Sequence, residues 1–109
     1  MKIEKICNEL LGCLEGKNYS ELPSKNLGKL TIDNAYKIAN AIKSRRMLKG
    51  ERLGGVKIGF TNKSLWEKYG VDFPIFGLMY NTTIRNKTIN INSNRYLEPK
   101  IEPEIYFKF

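Results

Sequence analysis

The chain has 109 residues, a net charge of +8 from 19 Lys and Arg against 11 Asp and Glu, two cysteines and no histidine. A chain of this length holds one domain with a limited core, and its first apolar stretch is broken by Glu4, Lys5, Asn8 and Glu9, so neither a membrane span nor a signal peptide is expected. Cys7 and Cys13 lie within one helical pattern with no histidine to join them, so neither a zinc set nor an internal disulfide is expected, and a reducing cytoplasm fits.

Ile3, Ile6, Cys7, Leu10, Leu11 and Leu14 recur at helical spacing, so residues 2–15 read as an amphipathic helix stopped at Gly16. Residues 16–29, with Asn18, Ser20, Pro23, Ser24 and Gly28, read as a connecting loop. Thr31 is placed to cap a second helix with its apolar stripe at Ile32, Ala35, Tyr36, Ala39, Ile42 and Met47, and Gly50 stands where that helix would stop. The densest basic cluster, Lys43, Arg45, Arg46, Lys49 and Arg52, falls at the end of this helix, where cations complement the macrodipole. A solvated helix end accounts for it. No nucleic-acid motif accompanies the charge, and Tyr36, Phe60, Trp66, Tyr69, Phe73 and Phe76 sit in apolar patterns, so no nucleic-acid partner is expected.

Beyond Gly54-Gly55 the period changes to two. Val56, Ile58 and Phe60 alternate with Lys57 and Gly59, which predicts a short strand ending at Thr61. Asn62 is placed to cap a brief helix over 63–69 that closes at Gly70. Residues 74–79 read as a buried strand, and Thr83-Ile84 and Thr88-Ile89-Asn90-Ile91 flank Asn86-Lys87 as a β-hairpin would. Helices first and strands after predict an α+β fold, one domain over 1–109, mainly helical over 1–53 and mainly strand over 54–109.

The last run, Lys100-Ile101-Glu102-Pro103-Glu104-Ile105-Tyr106-Phe107-Lys108-Phe109, also alternates. Read as a strand, it points Ile101, Ile105, Phe107 and Phe109 into a core and sets Glu102 and Glu104 together on the other face, within reach of one hard cation. The same pattern also suits a half-buried strand whose polar face merely carries two acids. Like charges either side of Pro103 make a poor strand interior, tolerated at an edge or where a ligand compensates. Phe107-Lys108-Phe109 has no turn residue to close a domain, so a longer fold, cut within its apolar alternation, is expected.

From Leu30 onward, the ordered set Ala35-Tyr36, Gly55-Val56-Lys57-Ile58-Gly59-Phe60-Thr61, Gly70-Val71 with Pro74 and Gly77, and Ile101-Glu102-Pro103-Glu104-Ile105-Tyr106-Phe107 resembles one family. It is similar to the 2-keto-4-pentenoate hydratases and 2-oxo-3-hexenedioate (4-oxalocrotonate) decarboxylases of the fumarylacetoacetate hydrolase superfamily, in their N-terminal part. The resemblance implies helices followed by the start of that superfamily's mixed β-sheet. It implies a hydratase of 2-hydroxypenta-2,4-dienoate type, or a 2-oxo-3-hexenedioate decarboxylase, in aromatic catabolism. Its substrate would be a small unsaturated 2-oxo or 2-hydroxy acid.

By the same resemblance Glu102 and Glu104 hold Mg²⁺ or Mn²⁺ with a third carboxylate farther along the chain, beyond residue 109. Lys57 lies near the substrate and assists proton transfer, and Thr61 lines the pocket. Without the resemblance, Lys57 reads as a solvent-facing strand lysine beside Gly59. The chain departs from the family in the turn after Pro74, where Ile75 and then Asn81-Thr82 stand in place of acids. With the third ligand outside this chain, the resemblance implies little or no activity alone, and either an oligomer or a separate chain that complements it.

Overall fold

The computed structural model describes residues 2–87 and 90–109. They form two compact units, Met1–Gly50 with Asn90–Pro99, and Glu51–Ile89 with Lys100–Phe109. Helices and a three-stranded antiparallel sheet make the chain α+β.

The first unit is built on α1 (Lys2–Gly16) and α3 (Ile32–Leu48), with the short α2 (Pro23–Leu27) between them inside what the sequence reads as loop. Pro23 opens that turn of helix, a position where its missing N–H costs nothing. The α1 stripe buries Ile6, Cys7 and Leu11, and α3 contributes Ile38, each worth about 1.5–3 kcal/mol of transfer free energy. Ile38 stands off the stripe predicted for this helix, whereas Ile32 and Met47, predicted to be buried, are partly exposed.

Chain ends in this unit follow the capping residues. Thr31 accepts a hydrogen bond from the Asn34 N–H at 3.2 Å. Lys17 takes a left-handed conformation (φ 55°) one residue past Gly16, while the Asn18 N–H reaches back to the Cys13 carbonyl. Arg45 donates to the Cys7 sulfur and the Glu4 carboxylate, and Lys49 pairs with Glu15. The Glu4 hydrogen bond raises the Arg45 pKa above its ordinary value, against a smaller opposing effect of burial.

The second unit is the sheet, in the order β2 (Ile75–Tyr80), β1 (Leu53–Gly59), β3 (Ile105–Lys108). Every pairing among the described residues is antiparallel, so the mixed sheet expected from the resemblance is not seen in these strands. A bulge at Gly54 breaks the β1–β2 register, and its carbonyl accepts both the Tyr106 hydroxyl (2.7 Å) and the Phe109 N–H (3.0 Å). The connection from β1 to β2 carries a 3₁₀ turn, Lys63–Leu65, running into α4 (Trp66–Tyr69). Asn62 caps it by accepting from the Ser64 N–H, and Gly70 closes it in the left-handed region.

Two strand predictions need correction. The C-terminal strand begins at Ile105, so Glu102 and Glu104 precede it. Pro103 has no N–H to give the ladder, and the partner strand has ended at Gly59, so pairing stops there. Ile101, Ile105, Phe107 and Phe109 are all exposed, with no layer packed over them among the described residues. β2 is likewise only partly covered, with Ile75 and Phe76 exposed. The hairpin predicted around Asn86-Lys87 rests partly on Thr88 and Ile89, which lie outside the described residues. The N–H groups of Thr83 and Ile84 both turn back to the Tyr80 carbonyl.

Candidate functional site

Register decides which side chains share a face of the sheet. Lys57 stands between Gly77 on β2 and Tyr106 on β3, and Ile58 between Phe76 and Ile105. One step further along the same register, Glu104 comes opposite Gly59. Since side chains alternate across a strand, Lys57, Gly59, Gly77, Tyr106 and Glu104 lie on one face, and Val56, Ile58, Phe76, Leu78, Ile105 and Phe107 on the other.

Glycines make the first face accessible. A Cβ at Gly59 would abut the Glu104 carboxylate, and one at Gly77 would sit 3.3 Å from Lys57 Cε. A Cβ at Gly55 would run into the Tyr106 ring. Glu104 and Lys57 therefore lie down on a glycine floor and meet, Nζ to Oε2, at 2.8 Å. The glutamate side chain is 22% exposed and the lysine 43%, so the pair is only partly screened by water.

This pair lies at an open cleft of about 690 Å³ that Thr61 and Glu102 also line. All four residues singled out in the sequence, Lys57, Thr61, Glu102 and Glu104, are thus brought to one cleft. The chain reaches Thr61 through Phe60, whose φ of 57° is left-handed, a conformation costing a non-glycine residue about 1–2 kcal/mol. Two contacts hold it there: the Trp66 indole N–H donates to the Phe60 carbonyl at 2.9 Å, and the Phe60 ring meets Tyr69 edge-on at 5.5 Å. That turn ends β1 and brings Thr61 to the cleft wall.

Two carboxylates and a hydroxyl are hard oxygen donors, and Glu104 already takes a cation, the Lys57 ammonium, as partner. That chemistry fits a divalent ion of the Mg²⁺ or Mn²⁺ kind, which is commonly held by one or two carboxylates with water filling the rest of its shell. Among the described residues there is no group of three or more His, Cys, Asp or Glu that could hold a metal ion.

Sequence reading gave Gly59, Gly77, Tyr106 and Trp66 no part in shaping the site. A signal for the first two was present: a strand lysine with Gly55 and Gly59 two residues to either side on its own face has room to lie down. Trp66 and the left-handed Phe60 had none, because the contact depends on how the connection folds back.

The fold and this cleft define an α+β protein with an acid–lysine site at the end of an antiparallel sheet. No family model matches the chain. It is 32% identical over 87 residues to the TodF product hydratase of a Pseudomonas putida strain, covering 79% of this chain and 32% of that one. It is 33% identical over 79 residues to a 2-hydroxypent-2,4-dienoate hydratase of Pseudomonas putida, covering 72% of this chain and 36% of the other. Against a 4-oxalocrotonate decarboxylase of a Pseudomonas species it is 28% identical over 108 residues, 98% of this chain and 41% of that enzyme. The chain belongs to the 2-keto-4-pentenoate hydratase and 4-oxalocrotonate decarboxylase family, and it spans about a third of the length of the hydratases it matches.

Proposed function

We propose that this chain carries one side of a metal-dependent hydratase site for 2-hydroxypenta-2,4-dienoate (2-keto-4-pentenoate), in the breakdown of aromatic compounds. The observation that carries the reading is the single cleft lined by Lys57, Thr61, Glu102 and Glu104. Glu102 and Glu104 would hold Mg²⁺ or Mn²⁺. When bound, such an ion withdraws electron density from the 2-oxo oxygen and makes the conjugated chain a better acceptor for water. Lys57 moves a proton at Nζ, and the Thr61 hydroxyl orients the acid. Ile75, paired with Gly59 and so on the Lys57 face, gives the cleft an apolar wall for the hydrocarbon tail.

Decarboxylation of 2-oxo-3-hexenedioate is the second reading, favoured by the longer match to a 4-oxalocrotonate decarboxylase. Both reactions use the same electron sink. The exposed apolar face of the sheet supports a third element of the proposal, a covering chain or copy that completes the superfamily's fold and site, without which the chain is weakly active or inactive. Among the described residues no helix is long and apolar enough to cross a membrane, and the two free cysteines suit a cytoplasmic setting.

The test is to incubate the chain with Mn²⁺ and each acid, following loss of the conjugated absorbance and identifying products by mass. A hydrated product from the dienoate supports the first reading, and carbon dioxide from the dicarboxylate supports the second. No product with either acid, while Mn²⁺ still binds, leaves the non-catalytic role of a chain that needs its complement.

A further inference from the structure

Glu104 is hemmed in on both oxygens. Oε1 faces the backbone at Gly59, where even a methyl group would collide with it, and Oε2 holds the Lys57 ammonium at 2.8 Å. The carboxylate therefore presents one working direction, and the lysine fills it. An ammonium and a divalent ion drawn to the same carboxylate oxygen oppose each other, because the like charges then lie within a few ångströms of each other in a cleft only partly open to water. Lys57 can leave without disturbing the sheet. Its flexible stem lies over Gly77, which offers no side chain to trap it.

We infer that Lys57 is the chain's own occupant of the cation position on Glu104, and that a divalent cation loads by displacing it. This rests on the reading that Glu102 and Glu104 hold a divalent ion. The exchange couples two events at one site. A lysine tied to Glu104 is engaged, and a displaced lysine stands free in the cleft beside Thr61, so the proton-transferring group becomes available as the cation arrives. The salt bridge is thus a guard on Glu104 against other cations as well as a support for β3.

The sign of the prediction separates this from a structural role. A lysine that merely holds Glu104 in place would, when removed, loosen the site and weaken cation binding; a competitor, when removed, strengthens it. Mn²⁺ alone is titrated into the protein and the free ion is read by electron paramagnetic resonance, with circular dichroism confirming the fold of each variant. Lys57→Met should bind Mn²⁺ about two- to fivefold more tightly than the parent, the upper part of the range given by a partly exposed ion pair. Lys108→Met removes the same charge from the same face, four residues along β3 from Glu104 and beyond about one Debye length, and should change affinity less than about twofold. Glu104→Gln should lose binding. If the methionine variant does not fold, Lys57→Gln replaces it.

Equal affinity in Lys57→Met and the parent, with binding still lost in Glu104→Gln, overturns the exchange and leaves the metal reading standing. Equal tightening in Lys57→Met and Lys108→Met also overturns it, because general charge then explains the gain. If neither the parent nor Lys57→Met binds Mn²⁺, or if Glu104→Gln binds as well as the parent, the metal reading fails and the exchange fails with it.

Discussion

Gly59→Ala isolates the glycine floor, because its effects on stability and on the site point in different directions. Gly59 is not among the positive-φ glycines, so alanine meets no backbone obstacle and should gain about 0.4–1 kcal/mol by restricting the unfolded chain. Against this, the new methyl abuts Glu104 Oε1 and comes within 3.4 Å of its carboxyl carbon, so the carboxylate must swing off the floor. The Lys57 pair is then lost, at about 0.2–1 kcal/mol for groups this exposed. The two terms nearly cancel, and the melting temperature should move by less than about 5 °C. Mn²⁺ affinity should nevertheless fall about 10- to 100-fold, the usual cost of disturbing a support that orients a ligand. Gly77→Ala makes the opposite case. Its methyl lies 3.3 Å from Lys57 Cε and 3.5 Å from Cγ, so it crowds the lysine and leaves Glu104 alone. Affinity should hold or rise. Thermal melts followed by circular dichroism, with Mn²⁺ titrations on the same samples, read both quantities. A Gly59→Ala protein that binds Mn²⁺ like the parent would refute the argument that the floor sets the position of Glu104.

Trp66→Phe keeps the ring and removes the indole donor at 2.9 Å, leaving a part-buried Phe60 carbonyl without it; urea denaturation should show a loss of about 1 kcal/mol, and an unchanged midpoint would mean that the left-handed turn is held by other contacts. Thr31→Ala removes the cap of α3 and should cost about 1 kcal/mol, read in the same way from helical ellipticity. Cys7 is fully buried and Cys13 only partly so, so iodoacetamide should alkylate Cys13 first in the native protein, by about tenfold or more in a mass-spectrometric time course. Equal rates would show that α1 opens readily.

The helices were legible because their signals are local. Thr31, Asn62 and Gly70 sit at caps that the chain within a few residues defines, and the β1 alternation around Lys57 holds from Val56 to Gly59, stopping short of the predicted Phe60 and Thr61. Residues whose role depends on a distant partner were less legible. Glu102 and Glu104 fit a strand by period, but a strand needs a partner, and β1 has already turned away at Phe60 when their turn comes. The pairing of Lys57 with Glu104 spans 47 positions and exists only through the β1–β3 register, which no run of residues displays. Ile38 escaped for a related reason: which of the apolar positions of α3 is covered depends on where α1 crosses it. Burial of the apolar residues of the last strand was predicted from a layer that the described residues do not supply.

The two faces of the sheet are unequal in a way that bears on the site. The face with Lys57 and Glu104 is floored by glycine and satisfied by its own contacts, whereas the other leaves Phe76 50%, Ile105 59% and Phe107 55% exposed. Among the described residues β3 is an edge strand of four residues, joined to β1 alone, and Glu104 immediately precedes it. So short an edge is weakly held by its ladder, and much of its seating has to come from packing of Ile105 and Phe107. Whatever covers those two side chains steadies the backbone that carries Glu104 on the opposite face. If the cleft binds a cation as proposed, its affinity and the occupancy of the apolar face are linked through β3: a partner that packs on the apolar side should tighten Mn²⁺ binding without touching Glu102 or Glu104.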